Sequence, residues 1–525
     1  MTEQPTPPAW VRKRDGSVIP FDVDQISQAL FAATEALRRP DAFLARELTD
    51  GALHFLAVES DDDTITTTQI AEIVGKTVRE LGQPALAEAF AARATSPPEP
   101  GGDAILLRAP RDVPPRLLVQ QLLREYTRQA VYSGQLIAAQ NDGLLTITGF
   151  EAPGELEASV AGPSPAPEGL RPWVAGTVVF DGPEYAAAGG REFEHEVLSA
   201  VRLLGVPAVV NLNCATPPPF AGDLARGPLF GGQRPTADEA ARSAAADLLL
   251  EHVTGTLFAA AGARVNWHLG GRDFTGHRLR RAAEIAADGG AVCFVFDRAR
   301  RPVVLAEGID REHPAALLTV GLHLPRLAAQ PGVAGDVGVF LHKLGSLARL
   351  AVSAGVHKRE YLRRLDRAQP SPLTTGFLLD RARLVVVPVG LDHVVQQFVG
   401  RGLTSGGAAL DLGRQIVTRL RDVLKQELRT SHLEACLDGP VTFALAEGPA
   451  GTEAVAGLTA WDASAALKNQ LRAAGSLHAV AERGTMALFL GPDDFTPEGI
   501  VERLRQAWET SEVAAVRLFA PSRSA

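Results

Sequence analysis

Lysine is scarce in this chain, with six residues beside 46 arginines in a length of 525, a bias that points to a GC-rich genome rather than to a function. Cysteine is scarcer still. Three residues, Cys214, Cys293 and Cys436, cannot make a disulfide framework, and none stands in a CxxC pair, so a cysteine-only structural zinc site is excluded. No run of 18 apolar residues is free of charge or proline, which argues against a membrane span. The opening stretch, MTEQPTPPAW, has no apolar core behind a basic start, so no secretory signal is expected and the default location is the cytoplasm. Positive charge is in deficit as well. Against 61 Asp+Glu, 52 Lys+Arg leave a net charge of −9 at pH 7, which excludes non-specific nucleic-acid binding as the main task.

What is present is a globular composition, 46% hydrophobic and 22% charged. The length predicts two to four units. Residues 96–116, SPPEPGGDAILLRAPRDVPPR, are dense in proline and glycine and read as a linker between a small unit, 9–95, and a large one, 117–525. Gly162–Pro172 reads as a long surface loop within the large unit.

In the small unit, two short runs flank Asp15-Gly16, a strong hairpin signal because both turn positions tolerate positive φ. Asp22 follows as an N-cap, with Gln25 placed to complete a capping box, and Ile26, Ala29, Leu30, Ala33 and Leu37 recur at helical spacing. Further helices are expected over 42–57, after Thr66-Thr67-Thr68, and over 84–93. The large unit alternates helical patterns (117–139, 192–204, 237–261, 278–287, 337–352, 405–428, 496–509) with β-branched runs (144–148, 208–213, 291–296, 317–323, 384–389, 486–490). That alternation predicts an α/β fold with a largely parallel sheet, in one barrel-like domain.

Arg12, Lys13 and Arg14 put three cations on a tight hairpin beside the start of a helix. Charge-assisted hydrogen bonds and unpaired helix N–H groups would suit a phosphate there, although a solvated basic hairpin has the same composition. The order VRKRDGSVIPFDVDQI, helix, ITTTQIAEIV, and a helix ending ALAEAFAARA resembles the ATP-cone domain, the ATP/dATP-binding allosteric module of many ribonucleotide reductases. The resemblance implies that Val11, Lys13 and Arg14 line an adenine nucleotide, that Asp22, Ile26 and Thr67 close over it, and that Phe90 lies near the base. Gln25 stands where the family usually has a phosphate-binding lysine, and Ala71 where some members carry a polar side chain.

The large unit resembles the catalytic domain of anaerobic (class III) ribonucleotide reductase, a glycyl-radical enzyme with an α/β barrel. The likeness rests on LLREYTRQAVYSGQLIAAQNDGLLTITGF, LLTVGLHLPRLA with the following HKREYLRRL, LVVVPVGLDHVVQQFVG, and ERGTMALFLG with the closing VAAVRLFAPSRSA, in order. The family's chemistry needs a thiyl cysteine on a loop expected near Arg300–Ala306, a C-terminal radical glycine and four zinc-binding cysteines. None of these is found, and Thr146, Thr148 and Gly149 replace the histidines and aspartate of an "H-I-H-D" strand. Cys293 is expected to pack in the core, Cys436 to lie in a loop after a helix, and Cys214 to fall near the family's second cysteine.

Other signals fail. The glycine that a P-loop needs five residues before Gly75 is Ile70, Glu312-His313 is not HExxH, no GxSxG occurs, and His268, His323, His357 and His393 show no metal-ligand spacing. The expectation is an ATP- or dATP-binding regulatory protein with no catalytic residues, no zinc and no glycyl radical. Its implied partners are a second copy of itself or a reductase-related protein. The alternatives are a divergent reductase completed in trans by a glycyl-radical subunit, or a scaffold that binds a partner.

Overall fold

The computed structural model describes residues 8–13, 16–59, 64–95, 105, 114–160, 174–181, 207–213, 263–289, 292–299, 301–368, 378–439, 442–444, 453–455, 458, 464–491 and 493–519. Arg14, Asp15, Cys214, the expected loop at 162–172, the expected helices at 192–204 and 237–261, and most of the expected linker lie outside the described residues.

Three short strands, β1 (Trp10–Arg12), β2 (Val18–Pro20) and β3 (Thr64–Thr66), form a sheet in the order β2-β1-β3. The β1–β2 hairpin turns where the sequence predicts. Gly16 has φ +85°, its N–H reaches the Lys13 carbonyl at 3.0 Å, and the Lys13 N–H reaches the Ser17 carbonyl at 2.8 Å. Four helices cover the sheet: α1 (Val23–Ala36), α2 (Ala42–Glu59), α3 (Thr67–Glu80) and α4 (Pro84–Thr95). Asp22 caps α1 by accepting the Asp24 N–H at 2.9 Å. The capping box expected of Asp22 and Gln25 is not formed, because the short Asp22 carboxylate closes on the N–H two residues on and Gln25 stays exposed. A reciprocal box forms instead at α3, between Thr66 and Gln69.

The large domain begins with α5 (Pro115–Ala130) and α6 (Gly134–Asn141). The sequence suggested one helix over 117–139. The break falls at Val131–Ser133, just before Gly134, where Ser133 takes the extended backbone of an N-cap. Ten strands then form one path: β14 (Ala435–Leu437), β13 (Ala382–Val389), β12 (Ala315–His323), β5 (Leu156–Val160), β6 (Val174–Asp181), β7 (Ala208–Leu212), β8 (Ala263–Leu269), β9 (Val292–Phe296), β18 (Ala515–Phe519) and β17 (Thr485–Phe489). The strand β4 (Leu145–Ile147) pairs antiparallel with β12, off this path, and β15 (Thr442–Ala444) pairs antiparallel with β16 (Glu453–Val455) apart from it. Along this path the strands fall into three parallel groups, the central one opposite in sense to the two that flank it. β5 to β9 are mutually parallel, as are β12 to β14 and the pair β17–β18, and the blocks meet antiparallel at β12–β5 and β18–β9. The barrel implied by the resemblance is not closed by a strand ladder among the described residues. At the two ends of the path, the Thr485 N–H donates to the Gly439 carbonyl at 3.0 Å.

Strand composition explains which face is which. In β8, Ala263, Val265, Trp267 and Leu269 join the apolar layer that packs on α7 (His277–Ala287), while Arg264, Asn266 and His268 alternate onto the other face. The strands β9 and β13, VCFVF and ARLVVVPV, are buried throughout, as the near-continuous apolar runs of strands covered on both faces should be.

Beyond β12 lie α8 (Leu324–Ala328) and α9 (Val337–Ala368). The helix α9 is long and apolar enough to cross a bilayer, but it packs on α2, on β12 and on a helix at Gly407–Ser431. Several of its polar side chains meet the small domain. Lys343 pairs with Glu47 at 3.0 Å, Arg349 with Asp50 at 2.6 Å, and Ser353 donates to Asp24 at 2.9 Å. Arg46 of α2, 3% exposed, sits between Asp24 at 2.6 Å and Asp50 at 3.6 Å. On α6, Gln135 accepts from Ser27 and donates to the Ala42 carbonyl, both at 2.9 Å. The core of the small domain is therefore continuous with that of the large one.

Candidate functional site

The parallel register of β1 and β3 pairs Arg12 with Thr66. Lys13 and Thr67 therefore leave adjacent strand ends together, Lys13 exposed and Thr67 half-buried at the first turn of α3. That edge joins a cation to a helix N-terminus whose first N–H groups have no intrahelical acceptor, an arrangement suited to phosphate. Asp22 and Gln25 follow the opposite end of β2, across a sheet about 7 Å long. Val11, Ile26 and Phe90, each 6% exposed, belong to the core beneath the hairpin. The structure thus places Lys13 with Thr67, and Asp22 with Gln25 and Ile26, at two ends of one small sheet. Arg14 lies outside the described residues.

The second candidate is the polar face of the large sheet. Asn211, Asn266 and His268 form a buried chain. His268 Nε2 meets Asn211 Oδ1 at 2.9 Å, His268 Nδ1 meets Asp297 at 2.9 Å, and the Asn266 amide donates to the Leu305 carbonyl at 2.8 Å. Leu305 belongs to a hairpin, β10 (Val304–Ala306) and β11 (Ile309–Asp310), whose tip is Glu307-Gly308. The loop that the resemblance placed at Arg300–Ala306 therefore turns slightly later, and a carboxylate is at its tip.

Glu307 is ion-paired with Arg264. Burial alone would raise its carboxyl, but Arg264, with Arg517 beyond, outweighs that and holds it below the ordinary carboxylate range. Gly308 has φ +70°, and a Cβ there would lie 2.2 Å from Val385 Cγ2, so only glycine fits. Its N–H donates to Asp438 at 2.7 Å and its carbonyl accepts from Arg383 at 2.5 Å. Asp310 accepts from Arg383 at 2.6 Å, from Arg483, and from His313 Nδ1 at 2.9 Å. Burial would raise Asp310, yet His313 and the two guanidinium groups hold it well below the usual range.

Cys293 is buried, as expected, and faces this polar centre rather than the apolar layer. Burial, against the pull of Arg264, pushes its thiol up to about 11. Cys436 was expected in a loop but lies in β14, opposite Val385, because ACL continues the parallel block. Its thiol is also raised by burial. Of the residues that replace "H-I-H-D", Thr146 bonds His323 at 2.8 Å and Thr148 bonds Glu157 at 2.8 Å. Among the described residues, Arg264, Glu307, Asp310, Arg383, Asp438 and Arg483 engage one another or the Gly308 backbone, an arrangement that can lock the hairpin in place. Sequence reading missed Arg264, Glu307, Asp310, Arg383, Asp438 and Arg483. The available signal was charge inside apolar strand runs, as in ARVNWHL and RARLVVVPV. Among the described residues, no group of three His, Cys, Asp or Glu could hold a metal ion.

Comparison with known proteins agrees with both halves of this description. Residues 10–93 match the ATP cone domain. No curated protein matches the sequence. Among solved structures, an anaerobic ribonucleotide reductase is similar with a TM-score of 0.54 at 10% identity, covering 77% of this chain and 77% of that one. The Thermotoga maritima enzyme with citrate in the active site gives 0.52 at 10%, covering 77% and 88%. The same enzyme in complex with dATP and CTP gives 0.54 at 10%, covering 77% and 82%. Identity this low shows a shared fold. The chain joins an ATP-cone domain at residues 10–93 to a large α/β domain with a fold like that of anaerobic ribonucleotide reductase.

Proposed function

We propose that this protein binds ATP or dATP at the cone and that the nucleotide regulates the large domain, which does not itself reduce ribonucleotides. The observation that carries the binding half is the match of residues 10–93 to the ATP cone, with Lys13 and Thr67 adjacent at one sheet edge. A nucleotide lined by Val11 and Lys13 would have its phosphates between Lys13 with the first turn of α3 and the Gln25 end of the sheet, with Asp22, Ile26 and Thr67 closing over it and Phe90 near the base. The path to the large domain is the seam. Asp24, two residues past the Asp22 cap, is bound by Arg46 and by Ser353 of α9.

The non-catalytic half is supported by the lack of cysteine over Arg300–Ala306, where the resemblance calls for a thiyl cysteine, and by Glu307 just beyond it at the hairpin tip, paired with Arg264. Domains 9–95 and 117–525 would then act as sensor and responder, without zinc or a glycyl radical. A cytoplasmic location, assembly with a second copy, and a reductase-related partner are part of the same reading. The test is to incubate the purified chain with ribonucleoside triphosphates, a reductant and a radical-activating enzyme. No deoxynucleotide should form. Turnover by the chain alone, abolished by Cys293→Ser, would establish a divergent reductase instead.

A further inference from the structure

A cleft of about 510 Å³ opens where three elements meet: α1 of the cone, the α5–α6 corner and the C-terminal half of α9. Its wall on α9 is cationic. His357, Arg363, Arg364 and Arg367 line it, with Glu360 as the one carboxylate among the described lining residues. Three arginines within little more than one helical turn repel one another unless something negative meets them. Glu360 stands four residues before Arg364 and offsets part of that charge. Arg363 is engaged by Asp380 at 3.0 Å, and Arg364 reaches the Ala130 carbonyl at 3.4 Å while lying over the Tyr361 ring. Arg367 is exposed and makes no hydrogen bond or ion pair with a described residue. The His357 Nδ1 is buried without a partner.

The opposite wall is a helix start. Ser133 is the N-cap of α6, and its hydroxyl makes no capping bond. The first N–H groups of that helix lack intrahelical acceptors, and its dipole favours an anion. Beside it, Val131 and Tyr132 give an apolar side to the cleft, and Gln28 of α1 adds an amide. Guanidinium groups on one side, an unfilled cap on the other and an apolar flank together describe a recipient for a phosphorylated small molecule. The volume is within the range of ordinary ligand pockets, roughly 300–1,000 Å³.

We propose that this seam cleft is a second anion site, separate from the cone hairpin, that takes the polyphosphate chain of a small molecule. Arg364 and Arg367 hold the phosphates, and the Ser133 hydroxyl and the α6 N-terminus complete their coordination. A nucleoside triphosphate and inorganic tripolyphosphate share this chemistry. Because Gln28 belongs to the cone and the arginines to α9, an occupant ties the cone to the large domain.

The experiment is calorimetric titration of the full chain with inorganic tripolyphosphate and, separately, with ATP. It compares wild type, Arg364→Ala/Arg367→Ala and Lys13→Ala. Tripolyphosphate should bind wild type and Lys13→Ala alike and weaken at least about tenfold in the double variant, through loss of charge-assisted contacts. An arginine-dependent ATP step in addition would identify a nucleotide as the occupant. Its absence, with tripolyphosphate still bound, would identify the phosphate chain alone. Both arginines are exposed, so the variants should fold, and Arg364→Lys/Arg367→Lys should retain part of the affinity. If tripolyphosphate binding is unchanged by the arginine pair and abolished by Lys13→Ala, the anion sits at the cone and the seam site is refuted while the cone reading stands. Failure of wild type to bind tripolyphosphate or ATP in an arginine-dependent way also refutes it.

Discussion

Replacing Arg46 with methionine should destabilise the whole protein and do so through the seam. The Arg46 side chain is 4% exposed, against 20% for Asp24 and 14% for Asp50, so the guanidinium is the more deeply buried partner. Without it, Asp24 keeps, among the described residues, the Ser353 hydroxyl at 2.9 Å, while Asp50 retains Ser346 and Arg349, both at 2.6 Å. Breaking a fully buried pair costs about 3–5 kcal/mol. One of the two carboxylates remains paired and the other is partly solvated, so the expected loss is about 2–3 kcal/mol. Urea unfolding should show it as a lower midpoint with an unchanged slope. Asp24→Asn in the Arg46→Met background should then cost less than in wild type, since the orphaned charge has gone. A loss below about 0.5 kcal/mol, the range of an exposed pair, would refute the view that this network holds the cone to α9.

Three further outcomes follow from the same geometry. Gln25→Lys restores the family's phosphate-binding lysine at an exposed position and should tighten ATP about tenfold in a calorimetric titration; an unchanged affinity would show that this end of the sheet is not part of the site. His478 is buried and accepts the Ala514 N–H at 3.0 Å, and burial lowers its pKa to about 3. The unfolded chain takes up that proton below about pH 6.5 while the folded ring stays neutral, so this contribution is full above that pH. It is lost toward pH 3 at up to about 1.4 kcal/mol per unit, and His478→Gln should flatten the acid limb of the stability profile. Glu307→Gln leaves Arg264 without its counter-charge and should lower the urea midpoint by an amount equivalent to about 1–3 kcal/mol, with partial recovery in Glu307→Gln/Arg264→Met; a neutral single substitution would show that the hairpin tip is held by Gly308 alone.

The small domain was largely legible in the sequence, because local rules govern it. The Asp15-Gly16 turn, the Asp22 cap and the 3.6-residue spacing of Ile26, Leu30 and Ala33 each act within a few residues. Of the large sheet, β9, β12, β13 and β17 announced themselves as apolar runs. The strand β8 did not, since its alternate residues are Arg264, Asn266 and His268, whose presence in a strand makes sense only when the other strands supply their partners. The length of α9 was underestimated for a similar reason. Its last turns are arginine-rich and lose the apolar stripe where they leave the core for the seam cleft. The sequence directs attention to a cysteine over Arg300–Ala306, whereas what fixes the hairpin at 304–310 are charges from β8, β13 and the segments after β14 and before β17, distant in the chain.

The most direct test of nucleotide-dependent regulation is calorimetric titration of ATP and dATP into the full chain, wild type beside Lys13→Ala. Lys13 is exposed at the sheet edge next to Thr67, so its loss should leave the fold intact. Wild type should bind at least one of the two nucleotides, and Lys13→Ala should weaken that binding by about tenfold to a hundredfold, the cost of one charge-assisted contact. Wild type that takes up neither nucleotide at millimolar concentration would contradict the account.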